Sequence, residues 1–187
     1  MEGKNRVVFG IYPTYESLES GIESLKKTGF RNSDISVLMP ENVGNKDLVD
    51  IKSTKAPEGA VTGAASGAAI GGAVGWLVGI GTLAIPGLGP LIAAGPIMAA
   101  LAGAGAVGAL GGITGALVGM EIPEYEAKRY EGRVKKGGIL ISIHCEDSEL
   151  WTIRAKNILK RTGAEDISET HEAKGSESDE PFAHSEA

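Results

Sequence analysis

The chain has 187 residues, enough for one domain or for one domain that carries an insertion. Its net charge of −6 sits in the last stretch: residues 1–58 hold 8 basic and 9 acidic side chains, residues 121–168 hold 9 and 9, and residues 169–187 hold 1 and 6. No part is basic enough for nucleic-acid binding by bulk electrostatics, and a single cysteine, Cys145, excludes an intramolecular disulfide and suits a reducing compartment.

The first residues carry no apolar core or small-residue cleavage site of a signal peptide and lead straight into an apolar run at 7–11, which reads as a buried strand. Thr14 is placed to cap a helix in which Leu18, Ile22 and Leu25 recur at helical spacing. Lys26 and Lys27 fall in its last turn, and Gly29 is placed to end it in the left-handed conformation. Residues 35–39 form a second strand stopped by Pro40, which completes a β-α-β unit, and residues 41–58 read as a linker.

Residues 59–120 contain no Asp, Glu, Lys, Arg or His and hold 18 of the 28 glycines. Gly59, Gly63, Gly67, Gly71, Gly75 and Gly79 recur every fourth residue, so on a helix they form one slowly drifting stripe, a groove into which a second backbone can press. Gly103, Gly111, Gly115 and Gly119 repeat the device in a second arm. The intervening segment, with Pro86, Gly87, Gly89, Pro90, Gly95 and Pro96, is expected to be the turn between the arms. As helices, residues 59–81 and 97–120 would span about 34 and about 36 Å, enough for a hydrocarbon layer of roughly 30 Å. This predicts a glycine-zipper helical hairpin in a membrane, with both charged flanks on the cytoplasmic side. The Ala/Gly-rich arms keep a cytoplasmic soluble assembly, with the stripes buried between copies, as the alternative.

After the hairpin, Pro123 suits the start of a helix that Gly137-Gly138 ends near Lys136. A strand at 139–143, a helix capped by Ser148 and ended by Gly163, and a short strand at 165–168 follow. Tyr125 and Tyr130, with Lys128 and Arg129, lie on the 123–136 helix beside the inner membrane end, where they would rest on headgroups or face solvent. The two flanks resemble copies: Leu25-Lys-Lys-Thr-Gly29 matches Leu159-Lys-Arg-Thr-Gly163, and Asp34-Ile-Ser36 matches Asp166-Ile-Ser168. Two β-α-β halves make one ferredoxin-like α+β sandwich, a four-stranded antiparallel sheet with two helices on one face and the hairpin inserted between the halves. Residues 169–187 read as a disordered acidic tail.

Chemistry-bearing motifs are sparse. Gly103-Ala-Gly-Ala-Val-Gly108 has the letter pattern of a dinucleotide loop, but no clear strand precedes it and its glycines continue the stripe. His144-Cys-Glu-Asp147 groups four potential metal ligands, adjacent at a strand end and without a second cluster at ligand spacing, so it reads as a strand terminus turning toward a helix cap. Cys145 lacks a base and an orienting group, and His171 and His184 fall in the tail. Trp76 suits an interfacial anchor, and Trp151 suits core or edge packing. No catalytic, metal or cofactor-binding residue is expected.

Several segments carry a family resemblance: Val8-Phe-Gly-Ile-Tyr12, Lys27-Thr-Gly-Phe30, Asp34-Ile-Ser-Val-Leu38, the glycine stripe, Ile85-Pro-Gly-Leu-Gly-Pro-Leu-Ile-Ala-Ala-Gly-Pro96, Gly119-Met-Glu-Ile-Pro-Glu-Tyr-Glu-Ala127 and Gly137-Gly-Ile-Leu-Ile-Ser142. Over roughly residues 5–168 the chain resembles the heat-induced general stress proteins of bacteria, the YflT-like family. The resemblance implies a role in stress, no catalytic activity and no functional residues to transfer. The expected function is therefore a non-enzymatic, membrane-associated stress protein that assembles with itself through the zipper. The alternatives are a regulatory module binding a small ligand, and a pore or membrane-remodelling assembly. Expected partners are further copies of the chain and a lipid bilayer, with no nucleic acid.

Overall fold

The computed structural model describes residues 6–43, 81–85, 89–96 and 112–171. In chain order the elements are β1 (Arg6–Tyr12), α1 (Tyr15–Thr28), β2 (Ile35–Pro40), β3 (Gly81–Ile85), β4 (Gly89–Ala94), α2 (Gly112–Gly119), α3 (Glu124–Lys135), β5 (Ile139–His144), α4 (Glu149–Arg161) and β6 (Glu165–His171). The fold class is α+β: the strands form one six-stranded sheet in the order β3-β4-β2-β5-β1-β6, antiparallel at every pairing.

The elements outside the glycine-rich block start and stop at local signals. The Thr14 hydroxyl accepts the Ser17 N–H and starts α1, and the Ser148 hydroxyl accepts the Trp151 N–H and starts α4. The two helices end alike. At Gly29 (φ 107°) the Phe30 N–H returns to the Leu25 carbonyl at 3.2 Å, and at Gly163 (φ 90°) the Ala164 N–H returns to the Leu159 carbonyl at 2.9 Å. Thr28 and Thr162 also donate alike, each to the carbonyl four residues back. The matching Leu-Lys-basic-Thr-Gly stretches are thus two copies of one C-terminal helix cap, in which only glycine holds the left-handed residue without strain.

Alternation along the strands sends apolar side chains to both faces of the sheet, and both faces are covered. Val8, Val37, Met39, Ile92, Ile139, Ile141 and Ile143 pack against Leu18, Ile22 and Leu25 of α1 and Ala155, Ile158 and Leu159 of α4. Phe9, Ile11, Leu38, Leu91 and Leu140 pack against Ile113 and Leu117 of α2 and Ala127, Tyr130 and Val134 of α3. The expectation of helices on one face only is therefore incomplete. α3 buries Ala127, Tyr130 and Val134, at the i, i+3, i+7 spacing of one helical stripe, so its Tyr130 is a core residue and not a headgroup contact. Tyr125 does point outward, 67% exposed. Glu131 of α3 locks α2 in place: its carboxylate accepts the Thr114 N–H at 3.1 Å and the Thr114 hydroxyl at 2.6 Å, satisfying a backbone donor in the first turn of α2.

The expected helical hairpin needs correction where it is described. Gly81, the expected end of the first helical arm, opens a strand instead, and residues 89–94 are not an interhelical turn. Residues 81–85 and 89–94 are two antiparallel strands, with Ile85 opposite Gly89, and β4 adds the pair to the edge of β2 from Val37↔Ala94 to Pro40↔Leu91. An unpaired β2 edge would leave a row of backbone donors and acceptors bare, and the uncharged insertion supplies their partners. Pro90 fits because the last β2–β4 pair is at Leu91, so its missing N–H removes no bond to β2. Gly95 follows at φ 93°, so close to β2 that a Cβ would lie 2.4 Å from the Ile35 carbonyl oxygen. Pro86 and Gly87 lie outside the described residues, and Pro96 directly follows β4 and Gly95.

Of the second arm, the described part is the eight-residue α2, about 12 Å long. Among the described residues no helix is long and apolar enough to cross a membrane, and most of the two expected arms, residues 59–80 and 97–111, lies outside the described residues. β6 runs on to His171, so Glu169 and His171 belong to the sheet and not to a tail.

Candidate functional site

Two depressions mark the surface of the α1/α4 layer. The first, of about 180 Å³, lies where the end of α1, the end of β5 and the start of α4 converge, and is lined by Phe30, Arg31, Asp34, His144, Cys145 and Trp151 among others. Asp34 is almost buried and is held from two sides. It accepts the Arg31 backbone N–H at 2.8 Å, and both its oxygens accept the Arg31 guanidinium at 2.8–3.1 Å. Arg31 also donates to Glu146 at 3.0 Å, 115 positions away in the chain. This clamp ties the loop before β2 to the turn after β5. Hydrogen bonding to Asp34 raises the Arg31 pKa further, so the clamp stays charged. Phe30 meets Trp151 edge-on at 4.9 Å, and Arg154 lies over the Trp151 ring at 5.0 Å.

Residues 144–147, read from sequence as a strand terminus turning toward a helix cap, sit at this rim. β5 ends at His144, Glu146 turns the chain at φ 50°, and Ser148 caps α4. The Cys145 thiol is buried, donates weakly to the Ile143 carbonyl at 3.6 Å, and has its pKa pushed up to about 12, chiefly by burial. Such a thiol stays protonated and is a poor nucleophile. Among the described residues no group of three His, Cys, Asp or Glu side chains could hold a metal ion.

The second depression, about 410 Å³, runs along α4 beside the end of α1 and is lined by Thr28, Arg154, Asn157, Ile158, Lys160 and Arg161. Sequence reading did not single it out, although Lys160 and Arg161 in the last turn were visible signals. Elsewhere on the fold most cations are matched: Arg6 and Lys156 with Glu169, Arg129 and Arg133 with Asp166, Lys128 with Glu124, Lys135 with Glu131. Arg154, Lys160 and Arg161 have no carboxylate partner among the described residues. The groove is an open, positively charged surface with an aliphatic floor at Ile158, suited to an acidic segment and not to a reaction that needs an enclosed, dry site.

The glycines of the expected zipper are mostly not described: Gly59, Gly63, Gly67, Gly71, Gly75, Gly79, Gly103 and Gly111 all lie outside the described residues. Gly115 is half-buried in α2. Gly119 is exposed, and a Cβ there would meet nothing within 4 Å.

No curated protein and no solved structure matches the chain. One family model, described as alternative complex III, ActD subunit, matches residues 6–169, from the first residue of β1 into β6. This overturns the resemblance to general stress proteins and the stress function built on it, and it lends no support to self-assembly through the zipper. The motifs that carried it include strand ends and helix caps, which report local geometry and not function. The match covers most of the chain, which therefore belongs to the ActD subunit family of alternative complex III.

Proposed function

We propose that the chain is a non-catalytic, protein-binding subunit of alternative complex III, a respiratory electron-transfer complex. The family match across residues 6–169 carries this reading, since a subunit of a multi-subunit complex has protein partners. The side chains favour the same reading. The polar groups at the first depression are engaged in a structural clamp, and Cys145 is held as a thiol. Tyr125, Leu150 and Ile153 are large apolar side chains left about half or more exposed, as surfaces that meet other proteins often are.

Within this reading, the four strands β2-β5-β1-β6 form a ferredoxin-like unit, with α1 and α4 as its two crossing helices. The strand order, the antiparallel pairings and the matching helix caps support it. The strands β3 and β4 and the helices α2 and α3 are additions that cover the edge of β2 and the second face. The family supports membrane association of the assembly as a whole.

The test is co-purification. Full-length protein carrying an affinity tag and produced in its own host should be recovered after gentle solubilisation together with other subunits of the complex in fixed proportion. Recovery of the chain alone, or only with further copies of itself, would overturn the reading.

A further inference from the structure

The groove beside α4 presents Arg154, Lys160 and Arg161 without carboxylate partners among the described residues, on a fold that otherwise matches most of its cations. The chain also holds the complementary charge. Residues 172–187 carry Glu172, Glu177, Asp179, Glu180 and Glu186 against one cation, Lys174. Three of the five carboxylates fall within residues 177–180, and the family match ends at 169, before this segment begins.

The root of the segment is tied to α4, the helix that forms one wall of the groove. β6 ends at His171, opposite Arg6, and Glu169, two residues earlier, accepts Lys156 of α4 as well as Arg6. The eight residues 172–179 span up to roughly 27 Å when extended, and α4 is about 20 Å long, so the segment is long enough to run the length of that helix. Tethering makes the encounter intramolecular, and even weak exposed ion pairs then gain from a high effective concentration.

We infer that the acidic stretch 177–180 of this chain's own C-terminus docks in the groove between α1 and α4 and neutralises Arg154, Lys160 and Arg161. The docked segment acts as a built-in competitor: an acidic segment of another protein, or an anionic lipid surface, must displace it to reach these cations. The docking needs no other subunit, so a failed co-purification and a failed docking experiment remain distinguishable.

Disulfide trapping in the full-length chain tests this. Asn157→Cys places a thiol in the groove, Ser178→Cys places one within the acidic stretch without changing its charge, and Cys145 is buried. The control pairs Ser178→Cys with Tyr125→Cys. Tyr125 is exposed on the opposite layer, four residues after a second contact of β6, in which the Thr170 hydroxyl donates to the carbonyl of Glu121 at 3.4 Å before the turn into α3. Under mild oxidation at low salt, the intramolecular product of the Asn157/Ser178 pair should exceed that of the control at least fivefold. The ratio should fall toward one in 1 M NaCl, and also in the Glu177→Gln, Asp179→Asn, Glu180→Gln background. Equal yields for the two pairs, a ratio indifferent to salt and tail charge, or a product formed mainly between two chains would each overturn the proposal.

Discussion

Tyr130 of α3 and Ser168 of β6 share a hydrogen bond of 2.6 Å at the edge of the α2/α3 face. Tyr130 donates its one proton to the Asp166 carbonyl at 2.8 Å, so the Ser168 hydroxyl is the donor between them. One buried phenol therefore satisfies two groups of the last strand. Tyr130→Phe keeps the ring contact with Phe9 but leaves both groups unmet. The expected loss is about 1–2 kcal/mol, read as a lower urea midpoint at unchanged slope.

Alkaline pH should destabilise the fold in two steps. Burial raises the Cys145 thiol to about 12 from 9.0 and the Tyr130 phenol to about 12 from 10.0. Both groups have folded values above their unfolded ones, so the folded state holds more protons. Their contribution is fully present below about pH 9 and is lost as pH rises toward 12. The thermal midpoint should be flat near pH 8 and fall above pH 9. At pH 8, iodoacetamide should label Cys145 slowly in native protein and rapidly in urea.

Acid should act through Glu169. Hydrogen bonding to Lys156, with Arg6 nearby, holds its carboxyl below the ordinary value of 4.5 against the opposing effect of partial burial. A carboxyl lowered in the folded state stabilises above its unfolded value and loses that contribution as pH falls through the folded one. In Glu169→Gln the fall in stability below pH 4.5 should be shallower than in the parent chain, and equal slopes would sink the assignment.

Two glycines should respond to alanine in opposite directions. At Gly95 a Cβ meets the Ile35 carbonyl oxygen at 2.4 Å and φ is 93°, so Gly95→Ala adds backbone strain to a clash and should cost about 2 kcal/mol or more. At Gly119, where nothing lies within 4 Å, Gly119→Ala should be neutral or stabilise by up to about 1 kcal/mol through helix propensity. Thermal melts of the two variants would separate these outcomes. A large loss at Gly119 would mean that another backbone packs there.

Ser142, at the centre of β5 between Ser36 and Phe9, has a fully buried hydroxyl with no hydrogen-bond partner among the described residues. Replacing an unmet buried hydroxyl by a methyl group removes its desolvation penalty. Ser142→Ala should raise stability by about 1 kcal/mol in chemical denaturation, and a loss of that size would show that the hydroxyl has a partner.

The elements that sequence reasoning located are those with local punctuation. Thr14, Gly29, Gly137, Ser148 and Gly163 each act within a few residues of themselves, so their caps and turns were readable. What it missed depends on distant partners. Leu91 and Ile92 sit in an uncharged, proline-rich run whose strand character comes from the open edge of β2, more than fifty positions earlier. The core face of α3 was legible as Ala127, Tyr130 and Val134, but the expected membrane drew its tyrosines outward. Arg31 and Asp34 stand at pairing distance in sequence, whereas Glu146 joins them only through the sheet. The α4 groove exists because α1 and α4 lie side by side, which brings Thr28 next to a helix that starts 121 positions later.

The pairing of β4 with β2 means that the segment between the two β-α-β halves is woven into the sheet and is not a detachable cassette. Cutting out residues 59–111 and rejoining the ends would strip Val37, Leu38, Met39 and Pro40 of their neighbouring strand and remove Leu91, Ile92, Ala93 and Ala94 from both cores. A shortened chain of this kind would be prone to clump along that raw edge. Any graft of the two halves onto a simpler scaffold must carry the hairpin along, or replace it with another cover for β2.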